Sequence, residues 1–154
     1  MDPTPRYRRA TEADVPVIVA LMLDDAIAAA RDGLSSMPDL EPYREAFRAI
    51  DASPGNELLV MELEGRVVGT CQLTFIPGLS RGGRLRCLVE AVRVEAASRN
   101  RGLGAALMAH VLERAREEGC GLVQLTTDKR RTDAHRFYQR LGFVASHEGM
   151  KLYL

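Results

Sequence analysis

The stretch Val89-Glu-Ala-Val-Arg-Val-Glu-Ala-Ala-Ser-Arg-Asn-Arg-Gly-Leu-Gly104 decides the fold. Its first part belongs to a predicted strand, Leu85 to Val94, in which Leu88, Glu90, Val92 and Val94 share one parity and Val89, Ala91 and Arg93 the other. After it, Leu103, Ala106, Leu107, His110 and Val111 recur at helical spacing and predict a helix from Leu103 to Glu118. Between the two lies Arg99-Asn-Arg-Gly-Leu-Gly104. Glycines let a backbone come close to a ligand, and a helix start leaves its first N–H groups unpaired. Those donors, the positive end of the helix dipole and the charges of Arg99 and Arg101 together predict a pyrophosphate seat built from Arg99, Asn100, Arg101, Gly102, Leu103, Gly104 and Ala105.

Two familiar phosphate loops do not fit. A Walker loop ends in Gly-Lys-Ser/Thr, which is absent, and a dinucleotide fingerprint reads G-x-G-x-x-G where this loop reads R-x-x-G-x-G. A chain of 154 residues with 46% hydrophobic and 27% charged residues predicts one globular domain, 1–154, with a real core. Lys plus Arg and Asp plus Glu are balanced at 21 each, so net charge argues for neither nucleic acid nor membrane as partner. No apolar run approaches the roughly 20 residues of a membrane span. The start, Met1-Asp-Pro-Thr-Pro-Arg6, has no apolar signal core, which makes the expected compartment the cytoplasm. Cys71, Cys87 and Cys120 lack C-x-x-C spacing and sit among strand-like residues; they read as buried reduced thiols. No His/Cys/Asp/Glu cluster has metal-ligand spacing, so no metal is expected.

In chain order, a short strand at Tyr7–Ala10 precedes a helix from Val15 to Arg31, with Pro16 in its first turn and Gly33 after its end. A second helix covers Glu41 to Ile50. Strands Leu58–Leu63 and Arg66–Ile76 flank Glu64-Gly65, a hairpin signal. The glycine- and arginine-rich Pro77–Arg84 reads as a mobile loop. The next strand, Leu122–Thr127, follows the central helix and is expected to run parallel to the Leu85–Val94 strand. A short helix, Asp133–Leu141, ends at Gly142, and Phe143–Leu154 is expected to form a closing hairpin turning near Glu148-Gly149.

A second motif, Ala134-His-Arg-Phe-Tyr-Gln-Arg-Leu-Gly-Phe143, accompanies the loop. With R-x-x-G-x-G, it resembles the paired signatures of the GNAT superfamily of N-acetyltransferases. The resemblance runs over nearly the whole chain, and the segment from Thr126 to Tyr138, with Ser146-His147, looks closest to the aminoalkylphosphonate N-acetyltransferase branch. It implies an α/β (α+β) fold: a mixed, mostly antiparallel central sheet whose parallel central strands splay apart, flanked by helices. It also implies acetyl-CoA as the acetyl donor. The loop would hold its pyrophosphate, the backbone of Val92, Arg93 and Val94 would pair with the pantetheine arm, and Ala134, Phe137 and Arg140 would line the cofactor side. One departure stands out: many members carry asparagine where this chain has Arg131.

The resemblance places Tyr138 near the thioester sulfur, where a phenol can protonate the departing thiolate; the alternative is that Tyr138 and Phe137 only pack their helix. Glu90, on the strand beside the acetyl group, is the candidate base for the incoming ammonium; Glu95 faces away by parity. His110 reads as a histidine at the border of the core and His135 as structural or phosphate-facing. Arg84, in a basic stretch with Arg81 and Arg86, and His147, in the closing hairpin, are candidate acceptor contacts. With no cysteine in either motif, the expected reaction is direct acetyl transfer to a primary amine of a small molecule. A protein lysine or N-terminal acetyltransferase and a catalytically silent CoA-binding regulatory module are the alternatives, and a homodimer is left open.

Overall fold

The structure, a computed structural model, describes residues 3–154; Met1 and Asp2, part of the start read for a signal core, lie outside them. The chain divides into two compact units, one through Gln124 and one from Leu125 to Leu154.

The first unit is built on strands β1 (Arg6–Arg9), β2 (Asn56–Leu63), β3 (Arg66–Ile76) and β4 (Arg86–Val94). The short β5 (Leu122–Leu125) follows, and the sheet order is β1-β2-β3-β4-β5. The first four pair antiparallel, with one parallel pair completing a mixed sheet. The β2–β3 hairpin turns at Glu64 and Gly65, both left-handed with φ 51° and 77°. Two successive left-handed residues match the twist of a tight hairpin, which is why Glu-Gly could be read as a turn.

The helices are α1 (Val15–Leu23), α2 (Ala26–Arg31), α3 (Glu41–Asp51), α4 (Leu103–Glu117) and α5 (Thr132–Arg140). The single helix expected from Val15 to Arg31 is in fact two. Asp25 leaves the helical conformation (φ −101°, ψ 103°), and its side chain accepts a hydrogen bond from Ala28 N at 3.0 Å, capping α2. Pro77–Arg84 holds one irregular turn at Ser80–Gly83, left-handed at Arg81 and Gly82.

The register sorts residues onto two faces, because cross-strand partners point to the same side. Glu57, Leu59, Met61, Cys71, Leu73, Phe75, Cys87 and Val89 share one face. That face meets α4: Tyr7, opposite Met61, stacks on His110 with ring centroids 4.1 Å apart, and Arg114 pairs with Glu57 while lying over the Phe75 ring. Leu107, Met108 and Val111 of α4 are fully buried. The other face carries Leu58 and Val60, packed with Val15, Ile18, Val19 and Phe47 of α1 and α3. Further along, it carries Asn56, Thr70, Gln72 and Thr74 with Arg86, Leu88 and Glu90.

The mixed, mostly antiparallel sheet flanked by helices agrees with the expected architecture, but β4 and β5 stand at one end of the sheet rather than at its centre. The expected closing hairpin accounts for the difference. Among the described residues, 143–154 contain no strand, and Val144, Met150, Leu152 and Tyr153 are exposed. Two short strands joined by a turn are marginal in water by themselves, so loose alternation there was a weak signal.

Candidate active site

Strand β4 is not regular. Thr70 pairs with Arg93 and Gln72 with Glu90, so Ala91 and Val92 together oppose Cys71. Ala91 takes a left-handed φ of 51°. This is a β-bulge, which bends the strand and resets its alternation. Glu90, Val92 and Val94 therefore do not share a face as the sequence parity predicts. Arg93, opposite Thr70, falls on Glu90's side, and Val94, opposite Gly69, on the other.

Arg93 on that side is held in place. Its Nε lies 3.5 Å from Asp25 Oδ2, both side chains are nearly buried, and its Nη1 donates to the Val92 carbonyl at 2.8 Å. Next to Asp25, Asp24 Oδ2 accepts from Ala96 N at 2.8 Å. The α1–α2 break is thus tied to the end of β4 by two adjacent carboxylates. Reading Val15–Arg31 as one helix hid this; Asp25 before an alanine run was the available N-cap signal.

Glu90 is exposed, and Gln72 is its cross-strand partner. Glu95 is committed elsewhere. It pairs with Arg66 at 3.0 Å and accepts from Ser98 Oγ, and the Arg66 guanidinium, then the Ser98 hydroxyl, hold its carboxyl below the usual carboxylate range. A carboxylate stabilised as an anion is a poor proton acceptor.

Beyond β4, Arg99 Nε donates to the Val94 carbonyl at 3.3 Å, so this side chain folds back on the strand end. Asn100 and Gly102 are left-handed, φ 63° and 74°. Gly102 is the N-cap of α4, with no side chain to cap it, and its carbonyl accepts the first helical bond, from Ala106 N at 3.0 Å. The N–H groups of Leu103, Gly104 and Ala105 precede that bond and have no intrahelical partner. Gly102 and Arg101 are exposed, and a Cβ on Gly102 would meet nothing within 4 Å. An uncapped, exposed start of a fifteen-residue helix fits the anionic pyrophosphate of acetyl-CoA.

The second unit holds Ala134, Phe137, Tyr138 and Arg140 on α5, with Arg131 as its N-cap. The Tyr138 ring meets Phe137 and Phe143 edge-on, with centroids 5.0 and 5.7 Å away. Phe143 N donates to the Tyr138 carbonyl at 3.0 Å, and Gly142 is left-handed at φ 95°, which ends the helix as its glycine predicts. His135 Nε2 lies 3.2 Å from the Asp128 carbonyl, a structural placement. His147 is exposed, 2.7 Å from Ser146 Oγ, on a segment without the strand that recommended it. Arg84 is exposed, and its aliphatic stem covers Gly121, where a Cβ would come within 2.8 Å of Arg84 Cδ.

His110 is half-buried, and burial pushes its pKa down, as befits a border-of-core histidine. Cys71 and Cys87 are buried, and burial pushes both thiols up to about 12. Among the described residues no group of His, Cys, Asp and Glu could hold a metal ion, and no helix is long and apolar enough to cross a membrane.

A glycine-capped helix start follows the bulged strand, and comparison with known proteins gives the class of the chain. Residues 23–143 match the model of the acetyltransferase (GNAT) family, and the chain belongs to that family. It is an N-acetyltransferase, with acetyl-CoA as acetyl donor. The chain is 30% identical to an aminoalkylphosphonate N-acetyltransferase of Salmonella typhimurium over 94% of its own length and 88% of that protein. It is 38% identical to a glucosamine 6-phosphate N-acetyltransferase of Trypanosoma brucei brucei, the match spanning 57% of this chain and 58% of the relative. A crystal structure described as a transcriptional regulator from Bacillus halodurans C-125 superposes with a TM-score of 0.89 at 41% identity, covering 98% of this chain and all of that one.

Proposed function

We propose that this chain, acting as one domain over 1–154, transfers the acetyl group of acetyl-CoA directly to the primary amine of a small molecule. The observation that carries the reading is the bulged β4 running into left-handed Gly102 and the uncapped start of α4. In this reading the N–H groups of Leu103, Gly104 and Ala105 hold the pyrophosphate, with Arg101 adding charge. The backbone of Val92–Val94 takes the pantetheine arm as an added strand and offers an N–H to the thioester carbonyl.

Glu90 accepts a proton from the acceptor's ammonium, freeing the nitrogen lone pair. That nitrogen bonds to the thioester carbon, the carbon–sulfur bond breaks, and Tyr138 gives its proton to the leaving thiolate. The second proton, lost from nitrogen as the amide forms, passes to solvent, from which the Tyr138 phenol is restored. The commitment of Glu95 to Arg66 supports Glu90 as the base. A covalent acetyl-enzyme is disfavoured, because Cys71 and Cys87 are buried thiols held protonated at neutral pH. The Salmonella and Trypanosoma relatives, named for an aminoalkylphosphonate and an amino-sugar phosphate, support a small amine as acceptor. Free thiols at all three cysteines are consistent with a cytoplasmic reaction.

The description of the Bacillus halodurans structure favours a second reading, a CoA-binding regulatory module. One experiment separates the two: incubation with acetyl-CoA and a panel of amines, detecting free thiol. Amine-dependent thiol release is expected. Release no faster with any amine than without one would leave the regulatory reading.

A further inference from the structure

The face of the sheet that carries Glu90 continues beyond it. Arg86 and Leu88 share Glu90's side of β4, and their cross-strand partners Ile76, Thr74 and Gln72 lie on the same side of β3. Asn56 of β2 stands opposite Thr74 and completes the row. Its Oδ1 accepts from Thr74 Oγ1 at 2.8 Å and from Gln72 Nε2 at 3.5 Å, while its Nδ2 donates to Ser53 Oγ at 2.8 Å. Asn56, Gln72 and Thr74 are half-buried, so a bonded polar wall flanks Glu90 along the strand.

At the far end of this row stands Arg86. Its Nε is fully buried and has no hydrogen-bond partner among the described residues. Arg8, Arg66 and Arg114 of the same unit, by contrast, each meet a carboxylate: Asp14 and Glu62, Glu95, and Glu57. A buried guanidinium donor left unmet is costly, and such groups in native proteins have a reason. The guanidinium fork matches the oxygens of a carboxylate, phosphate or phosphonate.

We infer that Arg86 binds an oxyanion carried by the acceptor amine, with Gln72 beside Glu90 at the amine end. Glu90 lies four residue steps along β4 from Arg86, about 13 Å of rise. Side chains reaching from both ends bracket an acceptor whose amine and acidic group lie a few bonds apart. The substrate class is therefore a small amine bearing a phosphonate, phosphate or carboxylate. The inference rests on the acetyl-transfer reading, and it replaces Arg84, whose stem is occupied in covering Gly121, with Arg86 as the anion contact.

The test compares 2-aminoethylphosphonate, β-alanine and propylamine as acceptors for the wild type, Arg86→Gln and Arg86→Lys. The wild type should favour one of the two acidic amines over propylamine. Arg86→Gln should lower kcat/KM for that amine about 10- to 100-fold, chiefly through KM, the scale of a lost hydrogen bond to a charged group. Propylamine turnover should hold, and Arg86→Lys should recover part of the loss. Wild type that favours propylamine, or equal losses on all acceptors, or no loss, overturns the assignment while leaving acetyl transfer intact. If none of the three releases thiol but a neutral amine of the wider panel does, the assignment falls and acetyl transfer stands; if no amine releases thiol, both fall. Should Arg86→Gln fail to fold, Arg86→Lys carries the test: it must raise KM for the acidic acceptor alone.

Discussion

Gln72 and Glu90 face each other across β3 and β4 immediately before the register slips by one residue at Ala91. The slip sets Arg93 on the same face as Glu90, where Asp25 ties Arg93 to the α1–α2 break. A left-handed residue with a Cβ is what makes the slip possible, and it is testable. Ala91→Gly should change stability by less than about 1 kcal/mol, since relief of the left-handed strain offsets the added chain entropy. Ala91→Val should lower it by about 1–3 kcal/mol, because a branched side chain resists positive φ. Denaturant midpoints of the two variants would decide; equal midpoints contradict the bulge.

Glu90→Gln is close to isosteric and removes the carboxylate that would take the ammonium proton. If Glu90 is the base, the variant should turn over roughly 10²-fold more slowly at neutral pH. Acceptors of lower amine pKa should be partly rescued, since more of them arrive deprotonated. A wild-type rate on every acceptor would remove Glu90 from the role.

Tyr138→Phe keeps the edge contacts with Phe137 and Phe143 and deletes only the hydroxyl. A fall in kcat of roughly 10²-fold, with acetyl-CoA affinity preserved, is the expected outcome for a proton donor. Wild-type kcat would reduce Tyr138 to packing its helix.

Asp14 anchors the start of α1. It takes two hydrogen bonds from Arg8, at 2.7 and 3.0 Å, and one from Thr11 N at 2.7 Å. The Arg8 guanidinium, helped by Thr11, holds its carboxyl below the usual range. A depressed folded-state pKa means the contribution is complete above the unfolded value of about 3.9 and is lost as pH falls through the lower folded value. Asp14→Asn should cost about 2 kcal/mol at neutral pH, the scale of charge-assisted bonds, and the difference from wild type should shrink below about pH 4. A pH-independent difference in midpoint would assign Asp14 to packing alone.

How much of this the sequence disclosed depends on how local each signal is. Gly102-Leu-Gly104 before an apolar helical repeat marks a helix start within a few residues, and the structure puts the N-cap at Gly102. Glu64-Gly65 is equally local. The bulge at Ala91 left no such mark, because alanine is not a residue that announces positive φ, and strict alternation then put Arg93 and Val94 on the wrong faces. Asp24-Asp25 inside an alanine-rich run matches a continuous helix by pattern, since the Asp25 cap shows only once Ala28 N has found it. Gln72 and Asn56 became visible as Glu90's neighbours only with the register, because nothing in a single strand says which residue will stand opposite.

Calorimetric titration of wild type and Gly104→Glu with acetyl-CoA tests whether the start of α4 seats the pyrophosphate. The substitution sets a side chain and a negative charge at the second residue of α4, among the N–H groups assigned to the pyrophosphate. The wild type should bind acetyl-CoA measurably and the folded variant about 100-fold or more weakly, the scale of two lost charge-assisted hydrogen bonds. Equal affinity in the two proteins would contradict that seat.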